Sequence, residues 1–217
     1  MAFRASSNAT TGAGSATSLA CNKPTGTANG DVLTAGVCYG SLGTITPPSG
    51  WAEVYDSGSF GASGRQLKVY TKLASSEPAS WTWSFSASVG IVIEVGAFDT
   101  RSTATPNASG GQVNSASTNS TAPSISPSAA NCDLVGYFAT DNSRTFTAPS
   151  GMTEREDQSA GSRSLGLMTE VLVASGATGT RVATLSASAV NAGWLGAFAP
   201  TGGTTRNKIV YRYANLG

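Results

Sequence analysis

The sequence predicts an all-β protein: a jelly-roll-like antiparallel β-sandwich built from two pseudo-repeated halves of about six strands each. Three observations lead to this prediction. Short apolar or alternating segments are separated by Gly, Pro, Ser and Asn, as in strands joined by turns. No segment carries an apolar stripe at helical spacing over three turns. The order of short sequence words in the first half also returns in the second half, at an offset near 100 residues.

Four pairs of words define this repeat. DVL at residue 31 returns as DLV at residue 133, and PSGW at 48 returns as PSGM at 149. SAS at 86 returns at 186, and GAF at 96 returns at 196. Because order and spacing are kept together, we divide the chain as follows: an N-terminal arm (1–14), a sandwich (15–200) with pseudo-repeats 15–99 and 117–200, and a C-terminal strand-like tail (201–217). One sandwich or two in tandem both fit this pattern, and we favour a single domain.

Each half contains a series of strand patterns. In the first half these are 15–22, 31–40, 51–60, 65–74, 80–87 and 90–99. The second half offers 120–126, 133–142, 152–161, 162–173, 180–187 and 192–200. Side chains alternate along them, so that Trp81, Trp83 and Phe85 share one face, which we interpret as core. The Ser-, Thr- and Gly-rich stretch 101–118 is interpreted as a loop that crosses between sheets.

The composition excludes several classes of function. Only 12% of residues are charged and the net charge is +1, which argues against a nucleic-acid binder and against a membrane-surface helix. The chain has no His, so Ser-His-Asp, Cys-His and His-ligated zinc chemistry are excluded. We therefore expect no enzyme, no cofactor and no metal.

A few residues remain as candidates for chemistry. Glu94 lies inside the apolar run 91–95, where burial would raise its pKa, but we expect its side chain to face solvent or to pair with Arg or Lys. The acidic segment 154–157 is either a cation site or, as we favour, a solvated hairpin. Asp31 and Asp133 stand at equivalent strand starts and are expected to accept hydrogen bonds from turn N–H groups.

The cysteines and the aromatic residues leave alternatives open. We expect three separate thiols at Cys21, Cys38 and Cys132, with a Cys21–Cys132 disulfide as the alternative. The aromatic side chains would suit a glycan-stacking platform wherever their rings are exposed. The aromatic residues concerned are Trp51, Trp81, Trp83, Trp194, Tyr39, Tyr55 and Tyr70.

The final segment has its own character. It contains three of the basic residues, and its alternation after Gly202-Gly203 is typical of a strand. Such a strand either completes its own sheet or adds to the sheet edge of a neighbouring subunit. The predicted partner-binding residues are Arg206, Lys208, Ile209, Tyr211, Arg212 and Tyr213.

A series of words along the chain resembles a known family. GDVLTAGV, TPPSGWAEV, LKVYTKLASSEPASWTWSFS and GIVIEVGAFD are followed by TAPSISPSAANCDLVGYFAT, TAPSGMTER and GWLGAFAP. In this order they resemble a domain common in tailed-bacteriophage virion proteins, which are often labelled minor tail or structural proteins. The resemblance covers about residues 16–200.

The resemblance implies a β-sandwich building block on the exterior of a phage particle, and we rank capsid decoration above a tail-tip or fibre role. The expected partners are other virion proteins, the major capsid or tail subunits, and further copies of the chain, with a trimer as one expected symmetry. The alternative from another class is a carbohydrate-binding adhesion module for the host surface. Because the first residues lack an apolar signal segment, we expect synthesis in the host cytoplasm and localisation in the virion.

Overall fold

The computed structural model describes residues 3–40, 43–99 and 103–200, and these ranges contain strands but no helix. No helix long and apolar enough to cross a membrane is therefore found in them. The strands are β1 (Phe3–Thr10), β2 (Ala16–Asn22), β3 (Val32–Gly40), β4 (Ile45–Thr46), β5 (Ala52–Phe60), β6 (Arg65–Leu73), β7 (Ser80–Val89), β8 (Ile91–Phe98), β9 (Ala108–Ala122), β10 (Cys132–Thr140), β11 (Phe146–Thr147), β12 (Thr153–Ser159), β13 (Ser164–Leu172) and β14 (Arg181–Phe198). The prediction of an all-β protein is confirmed.

The strands pair into three antiparallel sheets. The first sheet has the order β1-β8-β3-β6-β5, and the second has the order β2-β7-β4. The third has the order β11-β14-β10-β13-β12, and β9 also pairs with β14. The two parts of β14 have different neighbours, since Leu185 pairs with Phe146 of β11 whereas Asn191 pairs with Thr140 of β10.

Two segments in which we predicted no strand contribute strands. The predicted arm, residues 1–14, contributes β1, which pairs with β8 from Phe3 to Thr10. The predicted loop, residues 101–118, contributes most of β9, which pairs with β14. Both strands consist mainly of small and polar residues with a weak strand pattern. They are strands because the buried strands beside them need hydrogen-bond partners for their backbone groups.

The strand patterns 180–187 and 192–200 form one continuous strand, β14, instead of two. In the first half, Gly90 separates β7 from β8. At the offset of the repeated sequence words, β14 has Val190 instead, a β-branched residue that favours an extended backbone.

The apolar side chains form three cores. A first core lies between the first and second sheets and contains Leu33, Tyr39, Tyr70, Trp81, Trp83, Phe85 and Ile93. A central core lies between the first and third sheets and contains Leu67, Val69, Val92, Phe98, Tyr137, Leu167, Trp194 and Phe198. A third core lies within the second half and contains Leu134, Phe138, Phe146, Met168, Leu185 and Leu195. The central core draws its residues from both halves.

Strands β3, β8 and β10 are covered on both faces. Every residue of these three strands is buried. This explains why their sequences are nearly continuous apolar runs instead of alternating patterns, since both faces contact protein. These central strands of the first and third sheets are thus the internal layers of the molecule.

The two internal layers approach closely at Gly36 and Tyr137. A Cβ atom at Gly36 would lie 2.3 Å from Cδ1 of the Tyr137 ring, so this position has room only for glycine. The Tyr137 hydroxyl donates to the Glu94 carbonyl oxygen at 3.2 Å. It lies 2.9 Å from Oγ1 of Thr34, which therefore donates to it. The Tyr137 side chain thus joins the two halves through the packing of its ring and through two hydrogen bonds, one donated and one accepted.

We predict that Gly36→Ala lowers the free energy of unfolding by about 1–3 kcal/mol, because the added methyl group overpacks the contact with Tyr137. The measurement is urea denaturation of the wild type, Gly36→Ala, Tyr137→Val and the double variant. In the Tyr137→Val background the glycine substitution should cost less, because the ring is gone. An equal cost in both backgrounds would show that this contact does not limit the size of residue 36.

Candidate functional site

Glu94, the carboxylate that stands out in the sequence, lies in the central core and is fully buried. Its Oε1 accepts a hydrogen bond from the Gln158 backbone N–H at 3.2 Å. Its Oε2 has no hydrogen-bond partner in the described part of the chain. The expectation that Glu94 faces solvent or pairs with Arg or Lys is wrong, because the third sheet covers this face of β8.

The surroundings of Glu94 favour its neutral form. Burial raises the pKa of Glu94 well above its usual range, and the negative charges of Glu156 and Asp157 raise it further. The predicted direction of the pKa shift is thus confirmed. A carboxyl group without access to solvent has no route to a substrate, so its position does not support a role in acid–base chemistry.

The acidic segment 154–157 belongs to β12 and its side chains hold neighbouring strands. Glu156 accepts a hydrogen bond from Nδ2 of Asn8 at 2.9 Å. Asp157 accepts one from the Phe146 backbone N–H at 2.9 Å. Across residues 3–40, 43–99 and 103–200, no group of three or more His, Cys, Asp or Glu side chains is placed to hold a metal ion. The segment therefore acts as a structural connection between β1, β11 and β12.

The tryptophans fill the cores. Their exposed fractions are 6% for Trp51, 3% for Trp81 and 0% for Trp83 and Trp194. Trp51 packs against Trp81 and Trp83 with ring centroids 5.2 and 5.4 Å apart. The interpretation of the aromatic strip on β7 as core is confirmed. None of the four indole rings is available for stacking on a sugar.

All three cysteines are free and buried, so the alternative of a Cys21–Cys132 disulfide is wrong. Burial raises the pKa of Cys21 to about 11 and the pKa of Cys38 to about 12. Because the thiolate is the reactive form, these thiols are poor nucleophiles at neutral pH.

Asp31 has the structural role that its position predicts. Its Oδ2 accepts a hydrogen bond from the Ala28 backbone N–H at 2.7 Å. The Arg4 guanidinium also binds both carboxylate oxygens, at 2.8 and 2.9 Å, and Asp99 at 3.0 Å. This network ties β1 to the start of β3.

A groove of about 230 Å³, which we call the upper groove, lies where the first and third sheets meet at one end. Arg155 crosses it, with its guanidinium 4.2 Å from the centre of the Phe3 ring and its Nε donating to Oγ1 of Thr169 at 2.8 Å. The residues lining the groove are Phe3, Phe98, Asp133, Gly151, Thr153, Arg155, Thr169, Glu170 and Val171.

A second, shallower groove adjoins the upper groove along residues 170–178. It is bounded by the ion pair of Glu170 and Arg181, which are 2.8 Å apart. Val171 and Val173 are 53% and 78% exposed beside it. Exposed apolar side chains next to paired charges suit a contact surface rather than a reaction centre.

The six residues predicted to bind a partner, Arg206, Lys208, Ile209, Tyr211, Arg212 and Tyr213, lie outside the described residues. Their role in binding a partner therefore stays a prediction. The described chain ends at Pro200, two residues after the end of β14.

Two buried arginines, Arg65 and Arg163, were missed by the sequence analysis. A signal was present, because each stands at the start of the Leu-rich strand pattern of its half in a chain with few charges. No protein-family model, curated protein or solved structure matches this chain. The function is therefore inferred from the molecule itself.

We predict that Glu94→Gln stabilises the fold at pH 8 and has little effect near pH 4. The pKa of Glu94 in the fold lies above its value in the unfolded chain, about 4.3. Its contribution to stability is complete below that pH and is lost as the pH rises through the pKa in the fold, by about 1.4 kcal/mol for each pH unit between the two values. Thermal unfolding between pH 4 and pH 8 measures this difference.

Glu77→Gln is the matched control with the opposite sign. Burial raises the pKa of Glu77, but hydrogen bonds from Lys72, Ser75 and Trp81 outweigh it, and the net pKa is lowered. The stability that Glu77 contributes is present above the unfolded pKa and is lost as pH falls through the folded pKa. Glu77→Gln should therefore destabilise the protein at pH 8. A Glu94→Gln effect that is the same at pH 4 and pH 8 would contradict the prediction.

Proposed function

We propose that this chain is a structural protein on the exterior of a tailed-bacteriophage particle, and a capsid decoration protein in preference to a tail-tip or fibre component. The observation that carries the proposal is the order of the strands in the sheets. This order supports a jelly roll in each half, an architecture that recurs in viral capsid proteins.

The first half provides the clearest support. Its first sheet contains the order β1-β8-β3-β6, and its second sheet contains β2-β7-β4. An eight-stranded jelly roll, made of two Greek keys, pairs its strands in this way. One strand departs from the pattern, since β5 pairs with β6 at the edge of the first sheet.

The second half supports the same arrangement, and with it the pseudo-repeat. β10, β11, β12 and β13 have the neighbours that correspond to those of β3, β4, β5 and β6. The two parts of β14 stand where the first half has β8 and β7. β9 pairs along both parts of β14, as β1 pairs with β8 and β2 with β7. We therefore propose two jelly rolls that share a central core.

A shared fold does not define a function, so the surface must also suit assembly. The first sheet ends at β5 and the third at β12, and an edge strand offers unpaired backbone groups to a partner strand. The grooves with Val171 and Val173 add exposed apolar area. The proposed partners are major capsid or tail subunits and further copies of the chain, with residues 201–217 as an additional attachment segment.

The glycan-binding alternative loses its main support. It depended on exposed tryptophan and tyrosine rings. All four tryptophans are at least 94% buried, and Tyr39 and Tyr70 are each 1% exposed. Retention of the protein by host glycans in affinity electrophoresis would restore this alternative.

We predict that the chain is present in purified particles at a number of copies comparable with the capsid lattice. Quantitative mass spectrometry of virions, with the major capsid protein as internal standard, measures the ratio. A handful of copies per particle would replace capsid decoration with a role at the tail or in a fibre. Absence from purified particles would overturn the proposal.

We predict that deletion of residues 201–217 abolishes attachment to particles while the protein still folds, because β1 to β14 all lie before residue 200. Circular dichroism and thermal unfolding check the fold, and sedimentation with particles that lack the protein checks attachment. Two matched variants separate the contributions within the segment. One replaces Ile209, Tyr211 and Tyr213 by Ser, and the other replaces Arg206, Lys208 and Arg212 by Gln. Strand addition requires the apolar set to matter, and full attachment of the deletion variant would refute it.

A further inference from the structure

Two buried arginine side chains lie at the end of the central core opposite the upper groove. Arg65 is the first residue of β6, and Arg163 directly precedes β13. The upper groove contains Phe98 and Thr169 from the far ends of β8 and β13, so the arginines and the groove mark opposite ends of this core. The exposed fractions are 9% for Arg65 and 7% for Arg163.

Arg65 reaches from the first half to the second. Its Nε donates to the carbonyl oxygen of Ser162 at 3.3 Å, and its Nη2 donates to Oγ of the same residue. Its Nη1 donates to the carbonyl oxygen of Ser63 at 3.3 Å. Since Ser162 precedes Arg163 in the chain, these bonds hold the two guanidinium groups in one neighbourhood.

Arg163 lies directly against the backbone of Gly90. A Cβ atom at Gly90 would be 1.7 Å from Nη1 of Arg163, so any other residue there would occupy the space of the guanidinium. Gly90 connects β7 to β8 at the end of the first sheet. The absence of a side chain at Gly90 thus leaves the space that the Arg163 guanidinium occupies.

The positive charge of Arg163 is not neutralised by the described protein. Its guanidinium donates no hydrogen bond to any residue in the ranges 3–40, 43–99 and 103–200, and its Nε is enclosed without a partner. In the same ranges, no carboxylate lies within 4.0 Å of the Arg65 or Arg163 nitrogens. Burial lowers the pKa of Arg163, and the positive charge of Arg65 lowers it further.

Two other ionisable groups in this neighbourhood are Cys38 and Asp141. The positive charges of both arginines act on Cys38, but burial raises the pKa of its thiol to about 12, so the thiol is neutral at pH 7. Asp141 also acts on Cys38, but it forms no ion pair with either arginine, and its Oδ1 accepts a hydrogen bond from Asn142 at 3.0 Å. Arg65 and Arg163 are therefore two buried positive charges, of which Arg65 lowers the pKa of Arg163, and neither has a described carboxylate within 4.0 Å.

We propose that Arg65 and Arg163 form a binding site for a tetrahedral oxyanion, inorganic phosphate or sulfate. A guanidinium presents its N–H groups in a planar fork that fits the oxygens of such anions. A buried charge without a partner is costly, and a doubly charged anion offsets two of them. Nη1 and Nη2 of Arg163 keep contact with solvent, so they offer free donors at an accessible point. This site is independent of the proposed function.

Thermal unfolding of the full-length protein at pH 7 tests the site. Sodium phosphate, sulfate or acetate is titrated while chloride keeps the ionic strength constant. Phosphate and sulfate should raise Tm in a saturable manner, by about 5–10 °C at a concentration one hundred times Kd. Acetate should raise it much less, and an equal saturable rise with acetate would overturn the assignment to a tetrahedral dianion.

The matched variants are Arg163→Gln and Arg181→Gln. Arg163→Gln should lose the saturable rise in Tm with phosphate. Arg181→Gln should keep it, because Arg181 is already paired with Glu170 at the other end of β13. An unchanged rise in Arg163→Gln, or no saturable rise in the wild type, would overturn the proposal.

A second measurement uses only the wild type, so it holds even where a variant fails to fold. Equilibrium dialysis with radiolabelled phosphate should give one bound phosphate per chain. Phosphate should also protect Arg163 from a dicarbonyl reagent, as mapped by peptide mass spectrometry, and leave the modification of the more exposed Arg144 unchanged. No bound phosphate, or equal modification of Arg163 with and without phosphate, would refute the site.

Discussion

The packing of the first sheet against the third is the contact on which the rest of the molecule depends. It encloses β3, β8 and β10 between apolar layers on both sides, and it contains large side chains such as Phe98, Trp194 and Phe198. Fully burying one such side chain stabilises a fold by about 1.5–3 kcal/mol, so the central core contributes a large part of the stability. Because these side chains come from both halves, the contact also fixes how the halves are oriented.

This central contact determines the state of every polar group within it. Tyr137 finds hydrogen-bond partners in Thr34 and Glu94, whereas the Glu94 carboxyl is driven toward its neutral form. The two ends of the core differ in how their arginines are paired. At the upper end arginines form ion pairs with carboxylates, as in Arg4–Asp31 and Arg181–Glu170. At the opposite end Arg65 donates to serine oxygens and Arg163 lies against the Gly90 backbone, and neither forms an ion pair with a described carboxylate, which is why we place the proposed anion site there.

The sequence predicts those strands whose own residues favour an extended, buried segment. The strand patterns at 31–40, 65–74 and 80–87 correspond closely to β3, β6 and β7, because the first is a nearly continuous apolar run and the other two alternate between apolar and polar residues. The strands β1 and β9 were not predicted, since their small polar residues become strands through the neighbours they pair with.

The same distinction, between what the local residues determine and what tertiary contacts determine, applies to the site residues. The alternation along β8 correctly places the Glu94 side chain on the same face as Val92. It cannot reveal that this face is covered by the third sheet, whose contacting residues lie about 60 positions further along the chain. Arg65 and Arg163 are 98 positions apart and become neighbours only through the packing of the halves. Predicting them requires the tertiary contact, not the local pattern.

The double burial of the internal layers also determines where this protein can meet a partner. Separated from the second half, the first sheet would expose Leu67, Val69, Val92 and Phe98 on one contiguous face. An apolar surface of that kind drives association, so neither half is suited to stand alone. These internal faces are therefore buried within one chain and are not available to a partner. What remains for assembly is the outer surface of the second sheet and of the layer formed by β9, β11 and the first part of β14, together with the sheet edges and the two ends of the central core. Under the proposed function, the broadest apolar faces join the two halves, so the protein would attach to a larger particle through sheet edges and core ends. These are the places where the upper groove, the exposed valines and the two buried arginines lie.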